Sequence, residues 1–368
     1  MRFTCKRARL AEIAALVGQA VSTKTTKRIF ECLHLSARKG GALRVSGTDL
    51  EVAMRYRIDE AEIREEGEAV APAALFSGVL REIADETVEI SVARRKMTID
   101  TDGGKFEIQC EEVEDYPQIP AFPERPDGSV TAEDLRALVR KTAFAAGKEA
   151  ARYTLNGIRI LAGRDSVRFV ATDGRRLATL ARPLTESANR DRDVRAAIVP
   201  VRALQHVDRV AAESGGAIAF SLEEKFVAFR SGSAEVSSRV LDGVFPNYEE
   251  ILPKECKLEA SIPVGAFLSR LRQVEQFAAV ESKAVAIQAA AGEMTISAAG
   301  GEGSAEVKLG IDYDGEPIRV GFNPAFLLDA LKIIDGEKVT LGMNNANAAA
   351  QLSDGSGLLY VIMPVLID

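Results

Sequence analysis

The chain contains little of the chemistry on which most metal sites and many enzymes depend. It has only two histidines, His34 and His206, and four cysteines that lie far apart without a Cys-x-x-Cys pair. This use of cysteine gives no zinc signature and fits a reducing compartment. A lone histidine in a helical pattern, as at His206, is more often structural than catalytic. The sequence therefore favours a protein without a metal, a cofactor or a catalytic site.

Long apolar segments are also missing. No run approaches the roughly 20 apolar residues that a membrane-spanning helix needs. The basic start, Met1–Arg7, precedes an apolar stretch, but Glu12 interrupts that stretch. We therefore interpret it as the first amphipathic helix and not as a signal peptide. With 46% hydrophobic and 27% charged residues, the composition is that of a soluble globular protein.

Two short patterns resemble active-site motifs, but each has a simpler explanation. Asp49, Asp173 and Asp242 follow strand-like runs, where an aspartate commonly bonds its own backbone. A metal-dependent nuclease that uses these carboxylates stays an alternative, although no histidine or cysteine would assist it. The segment Gly300–Ser304 lacks the Lys-Ser/Thr pair of a phosphate-binding loop and is more typical of a hairpin.

The net charge of −7 argues at first sight against nucleic acid, because binding to duplex DNA requires cations that neutralise phosphates. Net charge is a sum, however, and a DNA footprint needs only one basic face. The helix-like segments do carry cations, namely Lys6, Arg7, Arg9, Arg81, Arg136, Arg140, Lys141, Arg202, Arg209, Arg270, Arg272 and Lys332. The alternative for any one segment is an ordinary solvated helix face.

The strongest pattern in the sequence is a repeat. Three helix-like segments open near Pro72, Pro200 and Pro324, at a nearly constant spacing of roughly 125 residues. Proline suits the first position of a helix, because its missing N–H breaks no hydrogen bond there. The apolar residues that follow each proline predict one buried face per helix, namely Leu75, Phe76 and Val79; Ala203, Leu204 and Val207; and Leu327, Leu328 and Leu331.

Other elements recur in phase with these helices. A second amphipathic segment precedes each one, with apolar positions at Leu10, Ile13 and Val17; Leu135, Leu138 and Val139; and Phe267, Leu271 and Val274. Alternating runs predict strands, and a Thr-Asp turn follows two of them, at Thr48-Asp49 and Thr172-Asp173. The sequence thus predicts an α+β fold in which each third places two helices on an antiparallel sheet.

Chain length agrees with three domains, since a chain of 368 residues exceeds the size of most single cores. Proline-rich segments, Asp115–Pro123 and Phe245–Pro253, are typical of stiff linkers. We therefore predict domains over residues 1–126, 127–255 and 256–368.

Several longer motifs resemble one known family. These are Tyr153–Gly157, Val170–Ala178, Ser238–Tyr248 and Tyr360–Pro364, in the order expected for the bacterial DNA sliding clamp, the beta subunit of the replicative DNA polymerase. The similarity runs from Phe3-Thr4 to the end of the chain. It implies three domains of the DNA-clamp type, which form half of a six-domain ring of two chains joined head to tail.

The resemblance also implies a non-catalytic function. Such a ring encircles duplex DNA, slides without reading sequence, and tethers polymerases to DNA as a processivity factor. A negative net charge of the chain is then compatible with a basic inner surface of the ring that contacts phosphates. The implied partners are duplex DNA, a second copy of the chain, the replicative polymerase catalytic subunit, the clamp loader, and other polymerases and repair proteins. The implied location is the bacterial cytoplasm, with no membrane contact and no cofactor.

Three sets of residues are assigned by this resemblance. Those implied to face DNA are Lys24, Arg81, Lys148, Arg152, Tyr153 and Arg202. Those implied to form a groove for partner peptides, between the second and third domains, are Leu155, Thr172, Gly174, Arg175, Arg176, Leu177, Pro246, Ile251, Val361, Met363 and Pro364. Those implied at the dimer interface are Phe106 and Ile108 on a strand of the first domain and Phe277 in a helix of the third.

Three features depart from the family pattern. The segment Thr25–Phe30 lacks a proline that is often found there, Glu249 and Glu250 stand where basic residues are common, and the chain continues past Met363-Pro364. One further alternative to a clamp remains, a scaffold that binds peptides but not DNA.

Overall fold

The structure is a computed structural model, and it describes residues 1–149, 154–187, 194–253, 255–279 and 284–367. All named strand pairs in these residues are antiparallel, and they form four sheets. Three successive sets of strands and helices repeat along the chain, and we call them repeats 1, 2 and 3. Within the described residues, no helix is both long and apolar enough to cross a membrane.

Repeat 1 contains nine strands and two helices. Its elements are β1 (Arg2–Lys6), α1 (Arg7–Val17), β2 (Cys32–Ala37), β3 (Leu43–Thr48), β4 (Val52–Ile58), β5 (Glu62–Glu65), β6 (Gly67–Pro72), α2 (Ala73–Glu82), β7 (Thr87–Ala93), β8 (Lys96–Thr101) and β9 (Gly104–Gln109).

Repeat 2 has the same order of elements. They are β10 (Gly128–Thr131), α3 (Ala132–Ala143), β11 (Gly157–Ala162), β12 (Ser166–Thr172), β13 (Arg176–Pro183), β14 (Glu186–Ser187), β15 (Arg195–Pro200), α4 (Val201–Ser214), β16 (Ala217–Leu222), β17 (Phe226–Ser231) and β18 (Ala234–Arg239).

In its described residues, repeat 3 has the same order of elements except for the short fifth strand. Its elements are β19 (Leu258–Pro263), α5 (Val264–Glu275), β20 (Val285–Ala290), β21 (Glu293–Gly300), β22 (Gly303–Gly310), β23 (Ile318–Phe322), α6 (Pro324–Leu331), β24 (Lys338–Met343), β25 (Ala350–Ser353) and β26 (Leu359–Ile362).

Each repeat contributes to two sheets, and two sheets are shared between neighbouring repeats. The five-stranded sheet has the order β5-β1-β7-β8-β9, and the four-stranded sheet has the order β22-β21-β20-β23. A nine-stranded sheet, β14-β10-β16-β17-β18-β4-β3-β2-β6, joins repeat 1 to repeat 2 where β18 pairs with β4. An eight-stranded sheet, β15-β11-β12-β13-β26-β25-β24-β19, joins repeat 2 to repeat 3 where β13 pairs with β26. The antiparallel strands predicted for each third are therefore divided between two sheets.

By compactness the chain forms two units, and the division falls inside repeat 2. One unit contains residues 1–133, 185–189 and 202–240, and the other contains residues 134–184, 190–201 and 241–368. Each unit holds one shared sheet and one sheet of a single repeat.

The helices bury most of the apolar positions that periodicity predicts. In α1, Leu10, Ile13 and Val17 are buried, and so are the predicted positions of α3, α4, α5 and α6. Helix α2 differs, because it buries Ala73, Phe76 and Leu80 and leaves Leu75 half exposed. Its buried stripe is therefore rotated from the predicted one, since several spacings fit one short amphipathic segment.

The prolines do not all take the predicted position. Pro324 is the first residue of α6, where the side chain of Asn323 caps the helix by accepting from the N–H of Ala325 at 3.0 Å. Pro72 and Pro200 instead end strands β6 and β15, one residue before helices α2 and α4. Proline is tolerated there because β6 and β15 are edge strands of their sheets.

The register of the sheets makes the repeats comparable residue by residue. In each repeat four residues lie opposite one another across four neighbouring strands, and we call such a set a row. The rows are Val70, His34, Ser46 and Arg55 in repeat 1; Ile198, Arg159, Val170 and Thr179 in repeat 2; and Gly321, Ala286, Ser297 and Glu306 in repeat 3.

Candidate functional site

The turn between β12 and β13 is held by its own side chains. The hydroxyl of Thr172 donates to the carbonyl of Arg176 at 2.6 Å and accepts from the N–H of Gly174 at 3.0 Å. The carboxylate of Asp173 accepts from the N–H groups of Arg175 and Arg176 at 2.9 and 3.0 Å. Gly174 has φ of +89°, in the left-handed region that favours glycine. The turn is therefore rigid and keeps Arg175 exposed.

Repeat 1 contains the same turn. The hydroxyl of Thr48 donates to the carbonyl of Val52 at 2.8 Å, and the carboxylate of Asp49 accepts from the N–H of Val52 at 2.9 Å. Leu50 takes the left-handed position, with φ of +78°. The predicted role of both aspartates, bonding to their own backbone, is thus confirmed.

Arg176 connects this turn to helix α6. Its guanidinium donates to Asp173 and Asp329 at 2.9 Å each and to the carbonyl of Phe144 at 2.8 Å. The residue is buried, so the two carboxylates compensate its charge inside the protein. Arg176 therefore positions the turn, and the neighbouring Arg175 is the cation that solvent and ligands can reach.

Electrostatics keep Arg176 charged. Burial lowers the pKa of its guanidinium, but Tyr360, Asp329 and Asp173 more than offset this effect and raise the pKa above its usual value. For the Tyr360 hydroxyl, burial has the opposite effect and raises the pKa, so the group stays neutral. This hydroxyl donates to the carbonyl of Phe326 at 3.1 Å. A neutral tyrosine and a charged arginine thus hold α6 against β26.

A cavity of about 300 Å³ opens beside the turn. It has the size of a site for a few side chains of a peptide. Its lining residues are Ala146, Gly147, Lys148, Glu149, Leu155, Asn156, Asp173, Arg175, Arg176, Asn323 and Phe326. Leu155, Arg175 and Arg176 were predicted for the peptide groove, whereas Asn323 and Phe326 were not. The start of the third proline helix, where both residues lie, was the signal that could have indicated them.

Other residues of the predicted groove lie in the sheet next to this cavity. Leu177 on β13 pairs with Val361 on β26, and both are buried in a cluster with Val170, Ile198, Phe245 and Tyr248. The N–H of Met363 donates to the carbonyl of Arg175 at 2.9 Å, which places Met363 at the end of the turn. Met363 and Ile251 are 41% and 42% exposed, so both offer apolar surface. Pro246 and Pro364 are half-buried.

The structure describes four of the six residues predicted to face DNA. Lys24, Arg81, Lys148 and Arg202 are exposed, and Lys148 also lines the cavity beside Leu155. Arg81 pairs with Glu82 at 3.4 Å, where both side chains are largely in solvent, and Arg202 pairs with Asp49. An exposed ion pair such as Arg81–Glu82 is weak and can exchange for phosphates. Arg152 and Tyr153 lie outside the described residues.

The predicted interface residues differ in their surroundings. Phe106 is 41% exposed on β9, which is an edge strand, whereas Ile108 on the same strand is 2% exposed and belongs to the core of its own sheet. Phe277 is 39% exposed. It was predicted in a helix, but it lies in the turn that follows α5, where its N–H donates to the carbonyl of Val274 at 3.0 Å.

No group of three or more His, Cys, Asp or Glu side chains among the described residues is arranged to hold a metal ion. Burial lowers the pKa of His206 to about 4, and the cations Arg202 and Arg209 act in the same direction. The imidazole is therefore neutral near pH 7.

Comparisons with known proteins agree with this geometry. Family models of the DNA polymerase III beta subunit match the chain in three parts: the N-terminal domain over residues 1–120, the central domain over residues 129–247, and the C-terminal domain over residues 249–366. The beta sliding clamps of Pseudomonas putida and Caulobacter vibrioides are each 28% identical. These matches cover 99% and 100% of this chain and all of the relatives.

Solved structures give the same result. The chain resembles the DNA polymerase III subunit beta of Pseudomonas aeruginosa, with a TM-score of 0.92 and 26% identity over 100% of both chains. One structure of that clamp is described as bound to griselimycin. The sliding clamp of Bacillus subtilis, 24% identical, has the same fold with a TM-score of 0.93.

The predicted α+β clamp fold and the predicted resemblance are thus confirmed, as is the non-catalytic nature of the protein. The three family models match in order and together span nearly the whole chain. The chain therefore belongs to the family of the DNA polymerase III beta subunit, the beta sliding clamps.

Proposed function

We propose that two copies of this chain close head to tail into a ring that encircles duplex DNA and tethers a replicative polymerase. The observation that carries this proposal is the repeated strand junction. Strand β4 of repeat 1 pairs with β18 of repeat 2, and β13 of repeat 2 pairs with β26 of repeat 3. The equivalent strands β22 and β9 lie at the edges of their sheets, and in the described residues each pairs with a strand on one side alone. Pairing β22 with β9 of a second copy repeats the same junction and closes a ring.

The exposure of Phe106 supports this closure. Phe106 is the third residue of β9, and Val236 is the third residue of β18. Both strands follow hairpin turns of the same length. Val236 pairs with Met54 across the junction of β18 with β4 and is buried. Phe106 at the same position is exposed in the single chain, as expected for a residue that a second copy covers.

Charge at the open junction is also complementary. Across the junction in repeat 1, Arg55 pairs with Glu235 at 3.0 Å. In repeat 3, Glu306 on β22 is the residue equivalent to Arg55 on β4. On β9, Lys105 is the second residue after the hairpin turn, as Glu235 is on β18. A junction between two copies would therefore bring Glu306 of one to Lys105 of the other, with the two signs exchanged.

Exposed cations on separate elements support contact with phosphates rather than with base edges. Arg81 on α2, Arg202 on α4 and Lys24 are long side chains that are exposed to solvent. Such contacts are independent of sequence and weaken with salt. A topological link is then needed to keep the protein on DNA.

The cavity beside Arg175 is the proposed site for partner peptides. It combines the apolar walls of Leu155 and Phe326 with the exposed thioether of Met363 nearby, and methionine adapts to differently shaped apolar anchors. Its proposed occupants are short segments of the polymerase, the clamp loader and repair proteins. We further propose that the three domains span residues 1–126, 127–255 and 256–368. The proposed location of the protein is the cytoplasm.

The test is retention on DNA. The protein is loaded by a clamp loader with ATP onto nicked circular DNA and then filtered in high salt, which weakens phosphate contacts. We expect retention on circles and release after one linearising cut. Equal loss from circles and from linear DNA would contradict encirclement, provided that a known clamp is retained under the same conditions. A scaffold that binds peptides but not DNA would then be favoured.

A further inference from the structure

In all three repeats the segment that follows the last strand begins along the same path. Its backbone N–H donates to the carbonyl of the first residue of the row. These hydrogen bonds join Glu111 to Val70, Leu241 to Ile198 and Val365 to Gly321, at 2.8, 2.8 and 2.9 Å. We call the three segments linker 1 (residues 110–127), linker 2 (residues 240–257) and the tail (residues 363–367).

Linker 1 covers the rest of its row. The ring of Tyr116 stacks on His34 at 5.1 Å between centroids, and its hydroxyl donates to the carbonyl of Ser46 at 3.3 Å. Arg55 donates to the carbonyl of Ile119 at 3.1 Å. The three row positions after Val70 thus all contact the linker.

Linker 2 lies on the same surface of its own sheet. The guanidinium of Arg159 lies over the ring of Phe245 at 5.8 Å, and Phe245 and Tyr248 pack in one cluster with Val170. In both repeats an aromatic residue beside a proline therefore occupies the middle of the row.

The third row has no such cover in the described part of the chain. Val365 and Ile367 lie against Gly321, where an added Cβ would meet the Val365 carbonyl oxygen at 2.4 Å. Beyond them, Ala286, Ser297 and Glu306 line an open cavity of about 580 Å³. The row positions that the linkers cover in repeats 1 and 2 thus form the floor of this cavity in repeat 3.

We propose that this cavity, the third linker groove, binds an extended peptide of another protein in which an aromatic residue is followed by proline. The small side chain of Ala286 leaves room for a ring where His34 and Arg159 stand in the other rows. Arg319 is exposed in the groove beside Ile367 and has no ion pair among the described residues, so an acidic residue before the ring is favoured. Linker 1 has this order at Asp115-Tyr116-Pro117.

This groove is separate from the cavity beside Arg175, and the two share no lining residue. Its occupancy requires neither DNA nor ring closure, so it can be tested independently of the proposed function. The probe is a synthetic, fluorescently labelled peptide with the sequence of residues Glu114–Phe122. Its anisotropy is measured with the full-length protein, and a second peptide has alanine in place of the tyrosine.

Two variants of the groove test the location. Ser297→Tyr places a ring in the proposed seat and should weaken binding at least about tenfold. Its control is Thr295→Tyr, on the same strand and face but outside the lining. Arg319→Glu reverses an exposed charge and should weaken binding about fivefold. Its control is Arg272→Glu, an equal change of charge on helix α5.

The proposal is supported if the tyrosine peptide binds saturably and only the two groove variants weaken it. It is overturned if no saturation is reached at about 1 mM peptide, a concentration that would reveal even weak recognition. Equal binding of the alanine peptide would also overturn it. Unchanged binding by Arg319→Glu would do the same, since that side chain is exposed and its variant is expected to fold.

Discussion

The charge pair proposed at the subunit junction gives the sharpest test of ring closure. Lys105→Glu and Glu306→Lys each bring like charges together at the junction, whereas the double exchange restores an attractive pair. Arg55 and Glu235, the equivalent pair within the chain, are 21% and 27% exposed, which corresponds to a contribution of about 1 kcal/mol. Replacing attraction by repulsion then costs about 2 kcal/mol at each junction.

A closed ring contains two junctions, so each single variant should weaken dimerisation by about 4 kcal/mol, on the order of a thousandfold. The assay is native mass and sedimentation equilibrium over a dilution series, with Lys27→Glu as a control of equal charge change at an exposed site. The double variant should return most of the lost affinity. Dimers of unchanged strength in both single variants, or a double variant as weak as their sum, would refute the proposed register of β22 on β9.

Three further perturbations have expected outcomes. Phe106→Asp should yield monomers by native mass while Leu75→Asp, a change at another exposed apolar residue, leaves dimers intact; dimeric Phe106→Asp would contradict its place at the junction. Burial disfavours the charged imidazole of His206 and lowers its pKa to about 4 from the usual 6.5 of histidine. Its contribution to the free energy of unfolding is therefore complete above about pH 6.5 and is lost as the pH falls towards 4. Denaturant unfolding should show a free energy of unfolding that is about 2 kcal/mol lower at pH 5 than at pH 7.5 because of His206, and this contribution to the pH dependence should be absent from His206→Leu. Lys141 pairs with Asp354 at 2.6 Å with both side chains buried, so Lys141→Met should destabilise by about 3 kcal/mol and the double variant with Asp354→Leu by much less; additive losses would refute the pairing.

Local periodicity predicted the helices well because each buried face depends on residues close in sequence. The faces of α1, α3, α4, α5 and α6 needed only the spacing of their apolar residues. Leu75 was misplaced because α2 is short and several registers of its apolar residues fit one helix. Pro72 and Pro200 were predicted as the first residues of helices, but each lies one residue before its helix. Proline is compatible with both positions, because it fits an edge strand as well as the start of a helix.

Contacts between distant residues could not be predicted in the same way. The pairing of β18 with β4 joins residues that lie far apart in sequence, and alternation alone does not select the partner of a strand. Asn323 and Phe326 were missed at the cavity for the same reason, because they reach it through the packing of α6. The turn Thr172–Arg176, by contrast, was predictable because the hydrogen bonds of Thr172 and Asp173 that shape its backbone are local.

The shared sheets also bear on how the chain unfolds. Separating a shared sheet at the boundary between repeats exposes two hydrogen-bonded strand edges. We therefore expect each shared sheet to unfold as one cooperative unit, together with the parts of the two repeats that form it. Hydrogen exchange should then show β11–β13 opening together with β24–β26, and β16–β18 opening together with β2–β4. The middle repeat, although continuous in sequence, would belong to two separate folding units, so a mutation within it would weaken one end of the protein or the other according to the sheet in which it lies.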